Sequence, residues 1–332
     1  MRILVTGAAG FIGSALCKKF RLSGHDITAI DNFSDYYDVT LKQMRVKELL
    51  TPLDIEVLTL DICDRMALEK LINSIKPDLV MHLAAQAGVR LKVNESHKYV
   101  ESNLVGFSNV LVSTIQNQVP YFLYASSSSV YGDQASIPYR ESESNLHPNS
   151  FYGGTKLTNE ILTTTLVSKS ETVARGLRFF TVYGPWGRPD MAYFRMLANT
   201  LVNSKLKIYG DGSIERDFTF IDDVTNAIEL LIDEMKIYPK GQSDVVNVGG
   251  GHPISINKLI EVVEKISNKQ LVFEKLNRNL TDVSKTMADP SKLYKLTGYN
   301  PKTEIETGIL ETFKWASNKN TLAHIQKWIE SC

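Results

Sequence analysis

The chain has 332 residues, of which 43% are hydrophobic and 22% charged, so it can form one large domain or two that share a cleft. Lysine plus arginine and aspartate plus glutamate both number 37, and this zero net charge argues against nucleic acid or an anionic membrane as partner. The three cysteines and six histidines have no metal-ligand spacing. We therefore expect a metal-free protein of a reducing compartment, the cytoplasm.

Short apolar segments alternate with amphipathic ones through the first part of the chain. Strands are predicted at RILVTGA, DITAID, IEVLTLDI, DLVMHLAA and YFLYASSS, and helices at FIGSALCKKFRLSG and MALEKLINSI. The strands are short and do not alternate strictly, which is typical of a parallel sheet buried on both faces. The pattern predicts a doubly wound parallel α/β sheet of the Rossmann type. No apolar run approaches the roughly 20 residues of a membrane-spanning helix.

Two long helices are predicted at HKYVESNLVGFSNVLVSTIQNQ and FYGGTKLTNEILTTTLVSKS. They either pack only on the sheet or also form the seam of a homodimer, which we favour. A strand follows at TVARGLRFFTVYGP, then helices around FRMLANTLVNS and VTNAIELLIDEM. From VVNVGGG onward short strands and helices alternate, which predicts a smaller α/β unit after the main sheet.

The first strand leads directly into the pattern G-x-x-G-x-x-G, made by Gly7, Gly10 and Gly13. In this pattern the glycines permit a tight turn, close approach of the backbone to a pyrophosphate, and close packing of helix on strand. The next helix, which includes Phe11 and Ile12, offers free N–H groups to the phosphates. The motif predicts a dinucleotide site rather than a purely structural glycine turn or a signal peptide.

Residues that follow the later strands suit the rest of a dinucleotide. Asp31 ends the second strand and can accept both hydroxyls of the adenosine ribose. It would repel a 2′-phosphate, and no arginine follows it directly, so we expect NAD rather than NADP. Further cofactor contacts are expected from Asn32, Asp61, Ile62, Ala84, Ala85, Gln86 and Asn103. For Asp61 a plain role at the end of its strand is an equal alternative.

Tyr152 and Lys156 lie four positions apart in YGGTK, on one face of a predicted helix. A phenol with an ordinary pKa of about 10 is a weak base at neutral pH. A nearby ammonium and a positively charged nicotinamide favour the phenolate and lower that pKa. Such a pair often arises by chance, but here it follows the serine run Ser126 to Ser129. Together these residues predict NAD-dependent redox chemistry at an alcohol carbon.

The chain resembles an extended short-chain dehydrogenase/reductase of the nucleotide-sugar epimerase and dehydratase group. The segments TGAAGFIG, DNFSDYYD, AAQAGVR, SSSSVYG, YGGTK, RFFTVYGP and RDFTFIDD occur in the expected order over essentially the whole length. Within the group it is most similar to the UDP-glucuronate 4-epimerases, because of TVYGPWGRPDMA, AAQAGVR and DYYD. The resemblance implies bound NAD, a UDP-sugar substrate and a 4-keto sugar intermediate.

The resemblance also implies roles for individual residues. Tyr152 is implied as the base and Lys156 as its partner, while Ser127 assists at the sugar O4. Implied substrate contacts are Ser128, Ser129, Thr181, Arg188, Arg216 and Asp282. Of these, Arg188 is implied near a C6 carboxylate and Arg216 at the diphosphate.

Four positions refine the comparison with the group. Ser129 stands where decarboxylases and 4,6-dehydratases of the group carry an acidic residue, which argues against dehydration. Leu280 and Thr281 replace the usual Pro-Gly before Asp282, so the diphosphate contact there is open, with Asn279 or Arg278 as candidates. Gly154 stands where alanine is usual, which loosens the helix slightly.

Alternative functions stay open on the sequence alone: a 4-epimerase of a neutral UDP-hexose or UDP-N-acetylhexosamine, a related reductase or dehydratase, or a non-catalytic NAD-sensing scaffold. We expect residues 1–180, with 221–248 returning to them, to form the NAD-binding Rossmann domain. Residues 181–220 and 249–332 are expected to form the nucleotide-sugar-binding domain.

Overall fold

Seven parallel strands form the central sheet of the computed structural model, which describes residues 1–89, 93–276 and 283–331. The strands of the chain are β1 (Arg2–Thr6), β2 (Asp26–Asp31), β3 (Val57–Thr59), β4 (Leu79–His82), β5 (Tyr121–Ser127), β6 (Val173–Phe179), β7 (Thr181–Tyr183), β8 (Leu206–Tyr209), β9 (Glu215–Phe220), β10 (Ser243–Val248), β11 (Pro253–Ser255) and β12 (Phe273–Leu276). The order across the central sheet is β10-β6-β5-β4-β1-β2-β3. This order confirms the predicted doubly wound α/β fold.

Helices cover both faces of this sheet. They are α1 (Phe11–Leu22), α2 (Val39–Arg45), α3 (Arg65–Ile75), α4 (His97–Tyr99), α5 (Phe107–Gln116), α6 (Phe151–Val167), α7 (Ala192–Val202), α8 (Ile221–Met235), α9 (Ile256–Ser267), α10 (Ser291–Thr297), α11 (Ile305–Ala316) and α12 (Lys319–Glu330). A π-helical segment, Val100–Gly106, joins α4 to α5. Alternate residues of β1 enter separate cores, Ile3 and Val5 on one face and Leu4 on the other. Burial on both faces explains why the strands lack strict alternation.

The segment TVARGLRFFTVYGP forms two strands, and the prediction of one strand there was wrong. β6 ends at Phe179, which pairs with Ser127 of β5. The chain then leaves the central sheet, and β7 pairs with β9, with Thr181 opposite Phe218. β7, β9 and β11 form a three-stranded sheet, and β8 pairs with β12. Thr181 therefore begins the second sheet two residues beyond the partner of Ser127.

Two buried aspartates anchor the chain that follows β9. The Asp217 carboxylate accepts hydrogen bonds from the backbone N–H groups of Gly250, Gly251 and Ala288, at 3.2, 2.9 and 2.9 Å. Burial raises the pKa of Asp217, so those donors stabilise an otherwise costly charge. Asp223 in α8 accepts from the Tyr299 hydroxyl at 2.5 Å. β10 lies in the central sheet, whereas β7, β9 and β11 lie in another. The exact domain boundaries stay a prediction.

Two adjacent glycines in α6 give a matched test of packing. A Cβ on Gly154 would meet nothing within 4 Å, whereas one on Gly153 would lie 2.5 Å from the Ser129 carbonyl oxygen. We expect Gly154→Ala to raise the free energy of unfolding by about 0.5–1 kcal/mol, because alanine restricts the unfolded chain. Urea denaturation measures this change. Gly153→Ala is the destabilised control, and a loss of stability in Gly154→Ala would contradict the analysis.

Candidate active site

The candidate active site lies at the carboxyl edge of the central sheet. All seven strands are parallel, so the ends of β1, β2, β4 and β5 meet along one edge. The strand order reverses between β1 and β4, and ligands of open α/β sheets bind at such a switch point. The segments that follow these strands carry most of the predicted cofactor and catalytic residues.

The glycine loop is packed too closely for any side chain. Gly7 has a φ of 72°, and a Cβ there would lie 2.7 Å from the Ala84 nitrogen. A Cβ on Gly13 would lie 2.1 Å from the Gly7 carbonyl oxygen, and one on Gly10 2.9 Å from it. The following helix, which opens with Phe11 and Ile12, has no side-chain cap on its N-terminal N–H groups. The cradle and the open helix end fit the pyrophosphate of a dinucleotide.

Asp31 ends β2 and is buried beside this loop. Its Oδ2 accepts from the Ala9 N–H at 3.0 Å and its Oδ1 from the Phe33 N–H at 2.7 Å. The buried Lys42 ammonium of α2 lies 3.6 Å from Oδ1 and donates to the Ser34 hydroxyl at 3.0 Å. The carboxylate retains acceptor capacity for ribose hydroxyls. Sequence reasoning missed Lys42, because a lysine on a short helix is usually part of a solvated face.

Asn32, Asp61 and Ile62 lie together at the next strand end. Asn32 donates to the Asp61 carboxylate at 2.8 Å, and the Cys63 N–H donates to its other oxygen at 2.8 Å. Burial acts to raise the pKa of Asp61, but these hydrogen bonds outweigh it and lower the pKa. Asp61 and Ile62 were predicted to end the third strand, but β3 stops at Thr59. The Asp61 carboxylate is therefore positioned by hydrogen bonds after the strand, not by the sheet.

Ala84 is held by a hydrogen-bonded pair that sequence reasoning did not assign. The Thr6 hydroxyl accepts from the backbone N–H groups of Leu83 and Ala84, at 3.2 and 3.1 Å. Its own hydrogen is then donated to His82 Nδ1 at 2.7 Å, which places the imidazole hydrogen on Nε2. Burial lowers the pKa of His82 to about 3, so this histidine stays neutral. His82 thus helps to hold the Thr6 hydroxyl that binds the backbone of Leu83 and Ala84.

Asn103 forms a second bracket around the same loop. Its amide exchanges hydrogen bonds with the backbone of Gln86, which donates at 2.8 Å and accepts at 3.1 Å. It also donates to the Thr155 hydroxyl of α6 at 3.1 Å. Asn103 is buried, whereas Ala85 and Gln86 are half-buried beside it. The bracket links the loop after β4 to the helix that carries the predicted catalytic pair.

Tyr152 and Lys156 lie on the inner face of α6, as their spacing predicted. The Lys156 ammonium is buried, donates to the Ala125 carbonyl at 2.9 Å and lies 5.8 Å from the centre of the Tyr152 ring. Burial lowers the pKa of Lys156 to about 8. Burial also raises the pKa of Tyr152, while the charge of Arg188 and a hydrogen bond with Ser127 act in the lowering direction.

The protein's own groups therefore do not produce the expected lowering of the Tyr152 pKa. Desolvation disfavours the phenolate more strongly than Arg188 and Ser127 favour it. Lys156 lies against the ring and directs its ammonium to a backbone carbonyl rather than to the phenol oxygen. A further positive charge beside Tyr152 would act in the same lowering direction as Arg188.

The serine run forms the turn opposite Tyr152. Ser127 ends β5 and is its last paired residue, while Ser128 and Ser129 enter a short helical turn. The Ser127 hydroxyl accepts from the Ser129 N–H and donates to the Ser129 hydroxyl, both at 3.1 Å. Ser126 instead donates to the buried Glu160 at 2.5 Å, and Glu160 pairs with Arg178. The Ser127 and Ser129 hydroxyls therefore lie together at the turn, and Ser126 anchors the strand.

Arg188 forms a bidentate pair with a residue that the sequence did not indicate. Its Nε and Nη2 donate to the two oxygens of Asp190, at 3.0 and 2.5 Å. The guanidinium also lies 5.7 Å from the centre of the Tyr36 ring, and Tyr36 donates to Asp190 at 3.3 Å. The pair is thus neutral overall, and its Nη1 hydrogens are not used by Asp190.

The remaining predicted substrate residues lie on the second sheet or outside the described residues. Thr181 is half-buried at the start of β7. Arg216 lies on β9, two residues before the partner of Thr181, and donates to the Glu215 carbonyl at 2.9 Å. Asp282, with Arg278 and Asn279, lies outside the described residues.

Neither a metal centre nor a membrane span is found in the residues described. No group of three or more His, Cys, Asp or Glu side chains there could hold a metal ion. Likewise, none of the described helices has the length and apolar character needed to cross a bilayer.

Comparison with known proteins agrees with this geometry. The model of the NAD dependent epimerase/dehydratase family matches residues 3–249. A probable UDP-glucuronate 4-epimerase of Rhizobium meliloti (strain 1021) is 35% identical over 338 residues, covering 98% of this chain and 99% of that protein. The crystal structure of UDP-glucuronic acid 4-epimerase from Bacillus cereus, with UDP-glucuronic acid and NAD, superposes with a TM-score of 0.86 at 34% identity, covering 95% of this chain and 98% of that one. UDP-glucose 4-epimerase from Thermotoga maritima superposes with a TM-score of 0.84 at 27% identity, covering 97% and 100% of the two chains.

The buried Lys156 predicts a pH dependence of stability. Its pKa is about 8 in the folded chain and 10.5 ordinarily, so between these values the unfolded chain binds more protons and stability rises with pH. The quantity to compare is the unfolding free energy of cofactor-free wild type minus that of Lys156→Met. We expect this difference to increase with pH across the window by up to about 1.4 kcal/mol per pH unit. Urea denaturation from about pH 7 to about pH 10 measures the difference.

The control for this experiment is Lys207→Met, which removes an exposed lysine of β8. The difference in unfolding free energy between wild type and Lys207→Met should not increase with pH across this window. A flat difference for Lys156→Met would mean that the Lys156 ammonium is not destabilised by burial.

Proposed function

Because the chain belongs to the NAD-dependent epimerase/dehydratase family, we propose that it is an isomerase that converts UDP-glucuronate to UDP-galacturonate through a 4-keto sugar. The observation that carries this proposal is the shared environment of Tyr152, Ser127 and Arg188. Ser127 and Arg188 both act to lower the pKa of Tyr152. A proton acceptor for a sugar hydroxyl and a cation suited to a carboxylate therefore lie side by side. The complex of the Bacillus cereus enzyme with UDP-glucuronic acid and NAD supports the choice of substrate.

The cofactor site fits NAD on the chain's own geometry. The glycine cradle leaves no room for a Cβ at Gly7, Gly10 or Gly13, and Asp31 retains acceptors for the ribose hydroxyls. When bound, NAD supplies the hydride acceptor and later the hydride donor at C4 of the sugar. Asp31 in this position disfavours a 2′-phosphate.

Tyr152 and Ser127 perform the proton transfer. Tyr152 accepts the proton of the C4 hydroxyl, and Ser127 holds the sugar oxygen while the C4–O bond gains carbonyl character. The nicotinamide ring is positively charged in its oxidised form, so its presence favours the Tyr152 phenolate, which burial alone disfavours. The 4-keto sugar turns over in the site. Tyr152 then returns its proton to the sugar O4, now in the opposite configuration at C4.

A uronate makes the 4-keto intermediate prone to lose carbon dioxide, because the ketone is β to the C6 carboxylate. The site must hold that carboxylate out of alignment with the ketone. We assign this to Ser128, Ser129, Thr181 and Arg188, whose hydroxyls and remaining Nη1 hydrogens can donate to it. Ser129 also supplies no carboxylate that could act as a base at C5, which argues against dehydration.

A second candidate is a 4-epimerase of a neutral UDP-hexose or UDP-N-acetylhexosamine. The pair of Arg188 with Asp190 favours it, because the bidentate contact already neutralises the cation. The structural similarity to UDP-glucose 4-epimerase from Thermotoga maritima is compatible with either substrate.

Product analysis with UDP-glucuronate tests the proposed reaction. We expect purified protein without added NAD to form UDP-galacturonate, with no pentose product, as read by NMR. Tyr152→Phe should lower the rate by about 10²–10⁴-fold, the usual contribution of a general base. Tyr294→Phe, an exposed tyrosine of α10, is the matched control and should keep wild-type activity.

Each other outcome has a defined meaning. A pentose product would show that Ser129 and its neighbours do not restrain the carboxylate, and the protein would be a decarboxylase. Absence of turnover with added NAD, followed by turnover of a neutral UDP-hexose, would establish the second candidate and make Arg188 a structural residue.

We also propose that the chain acts as a homodimer in the cytoplasm. Four exposed apolar residues lie on the helical stretch from α4 to α5 and on α6, namely Val100, Val105, Phe151 and Ile161. These helices pack beside each other, since Tyr99 stacks on Phe151 at 5.6 Å between ring centres. Two such pairs can form a bundle that removes this apolar surface from water. The free thiols of Cys17 and Cys63 suit a reducing compartment.

A charge placed in this seam tests the dimer. We expect Ile161→Glu, and separately Val105→Glu, to convert a dimer to a monomer, because a carboxylate there would lose its water in the interface. Sedimentation velocity measures the mass. Ile237→Glu is the control, since Ile237 is 82% exposed after α8. A wild-type monomer, or dimers in both seam variants, would contradict the proposal.

A further inference from the structure

Arg45, at the end of α2, joins the glycine loop to the loop that carries Arg188. Its Nη1 donates to the Ala9 carbonyl at 3.2 Å, its Nε to the Trp186 carbonyl at 2.9 Å and its Nη2 to the Gly187 carbonyl at 3.0 Å. Nη1 also donates to the Tyr37 hydroxyl at 2.6 Å. One guanidinium thus fixes the distance between two loops that come from distant parts of the chain.

The charge of Arg45 has no carboxylate beside it. The residue is fully buried, and among the described residues no ion pair includes it, while its four hydrogen bonds all go to uncharged oxygens. A buried cation is costly when no opposite charge lies nearby. The glycine loop to which it is bound is the predicted pyrophosphate site, so an anion bound there brings negative charge towards Arg45.

The loop on the other side is held in a demanding conformation. Trp186 has a φ of 65°, in the left-handed region that a bulky residue rarely adopts. A Cβ on Gly187 would lie 1.7 Å from the Tyr193 hydroxyl oxygen. Arg188 follows directly, so the two carbonyls bound by Arg45 set where the Arg188 side chain begins.

Helix α2 is itself anchored from the opposite side by the C-terminal helix. Trp328 of α12 donates its indole N–H to the Thr40 hydroxyl at 2.9 Å. Trp328 stacks on Trp315, with 6.4 Å between ring centres, and Trp315 contacts Trp186 at 5.2 Å. Helix α2 and the loop of Trp186 therefore pack against the same aromatic group. Because of this packing, Arg45 cannot move with one of its two bound loops without the other.

We propose that Arg45 is a positioning residue that couples cofactor binding to substrate binding. An anion at the glycine loop stabilises the buried guanidinium, and the same guanidinium orders the loop of Arg188. By linkage, a substrate that requires this loop then raises the affinity of the protein for the cofactor. The inference rests on the proposed function for the identity of the two ligands.

Equilibrium dialysis of the holoenzyme against radiolabelled NAD, an exchange experiment run to equilibrium, gives the NAD dissociation constant with and without UDP-glucuronate and so measures this coupling. We expect saturating UDP-glucuronate to lower the NAD dissociation constant of wild type by about 5–150-fold, the usual range of coupling between two sites. Arg45→Lys should bring that factor close to one, because an ammonium cannot hold three carbonyls in a fixed fork. Arg21→Lys is the matched control, since Arg21 makes one backbone contact, to Leu53, at the surface of α1.

The result that would overturn the inference is an unchanged substrate effect in Arg45→Lys, or no substrate effect in wild type. Should Arg45→Lys fail to fold, Tyr37→Phe removes the phenol that orients Nη1, and the substrate effect should then fall at least twofold, within the range of a lost hydrogen bond. An unaltered effect in that variant would equally count against the proposal.

The proposed function fails separately. If UDP-glucuronate is not turned over, the same exchange experiment with UDP in its place still measures the coupling. If UDP still raises the NAD affinity but UDP-glucuronate is not turned over, the proposed substrate is rejected and the role of Arg45 stands. If turnover is normal but the coupling is unchanged in Arg45→Lys, the role of Arg45 is rejected and the proposed substrate stands.

Discussion

The close contact of Gly13 with Gly7 is the constraint on which the rest of the site depends. A Cβ on Gly13 would lie 2.1 Å from the Gly7 carbonyl oxygen, so α1 approaches β1 as closely as two backbones allow. Two residues of the intervening loop, Ala8 and Ala9, are bound to other elements. Ala8 donates to the end of β2 at 3.1 Å, Ala9 donates to Asp31 at 3.0 Å, and the Ala9 carbonyl accepts from Arg45 at 3.2 Å. Displacing the loop would disturb all of these contacts at once.

Burial acts in opposite directions on the two catalytic groups. It raises the pKa of Tyr152 and lowers that of Lys156 to about 8, because both charged forms lose water. Without ligands the pair therefore resists forming a phenolate beside an ammonium. A positive charge next to Tyr152 reverses this preference, whereas a sugar alone does not. Under the proposed function, binding of the oxidised cofactor therefore favours the form of Tyr152 that accepts a proton.

The sequence predicted the features that depend on local spacing and failed on those set by tertiary contacts. The glycine loop, Asp31 at the end of its strand, and the facing of Tyr152 and Lys156 follow from strand and helix periodicity. Lys42 and Arg45 could not be assigned this way, because buried cations on a short helix look like a solvated face until the neighbouring loops are known. The Asp190 partner of Arg188 lies only two residues away in the same loop, and no helix or strand periodicity marks such a pair. The break between β6 and β7 was missed because both strands are apolar, and only pairing with β9 separates them.

The neutral pair of Arg188 with Asp190 bears on how a uronate epimerase can work. The 4-keto sugar must turn over between the two hydride transfers, so its carboxylate has to leave one set of donors and reach another. An unpaired buried cation would bind that carboxylate tightly in one orientation and slow the turning step, since tight ground-state binding does not accelerate a reaction. With Asp190 accepting from Nε and Nη2, Arg188 keeps one Nη2 hydrogen and its two Nη1 hydrogens for other acceptors. In the proposed reaction these donors and the uncharged serine hydroxyls would restrain the carboxylate against loss of carbon dioxide while still allowing the sugar to turn.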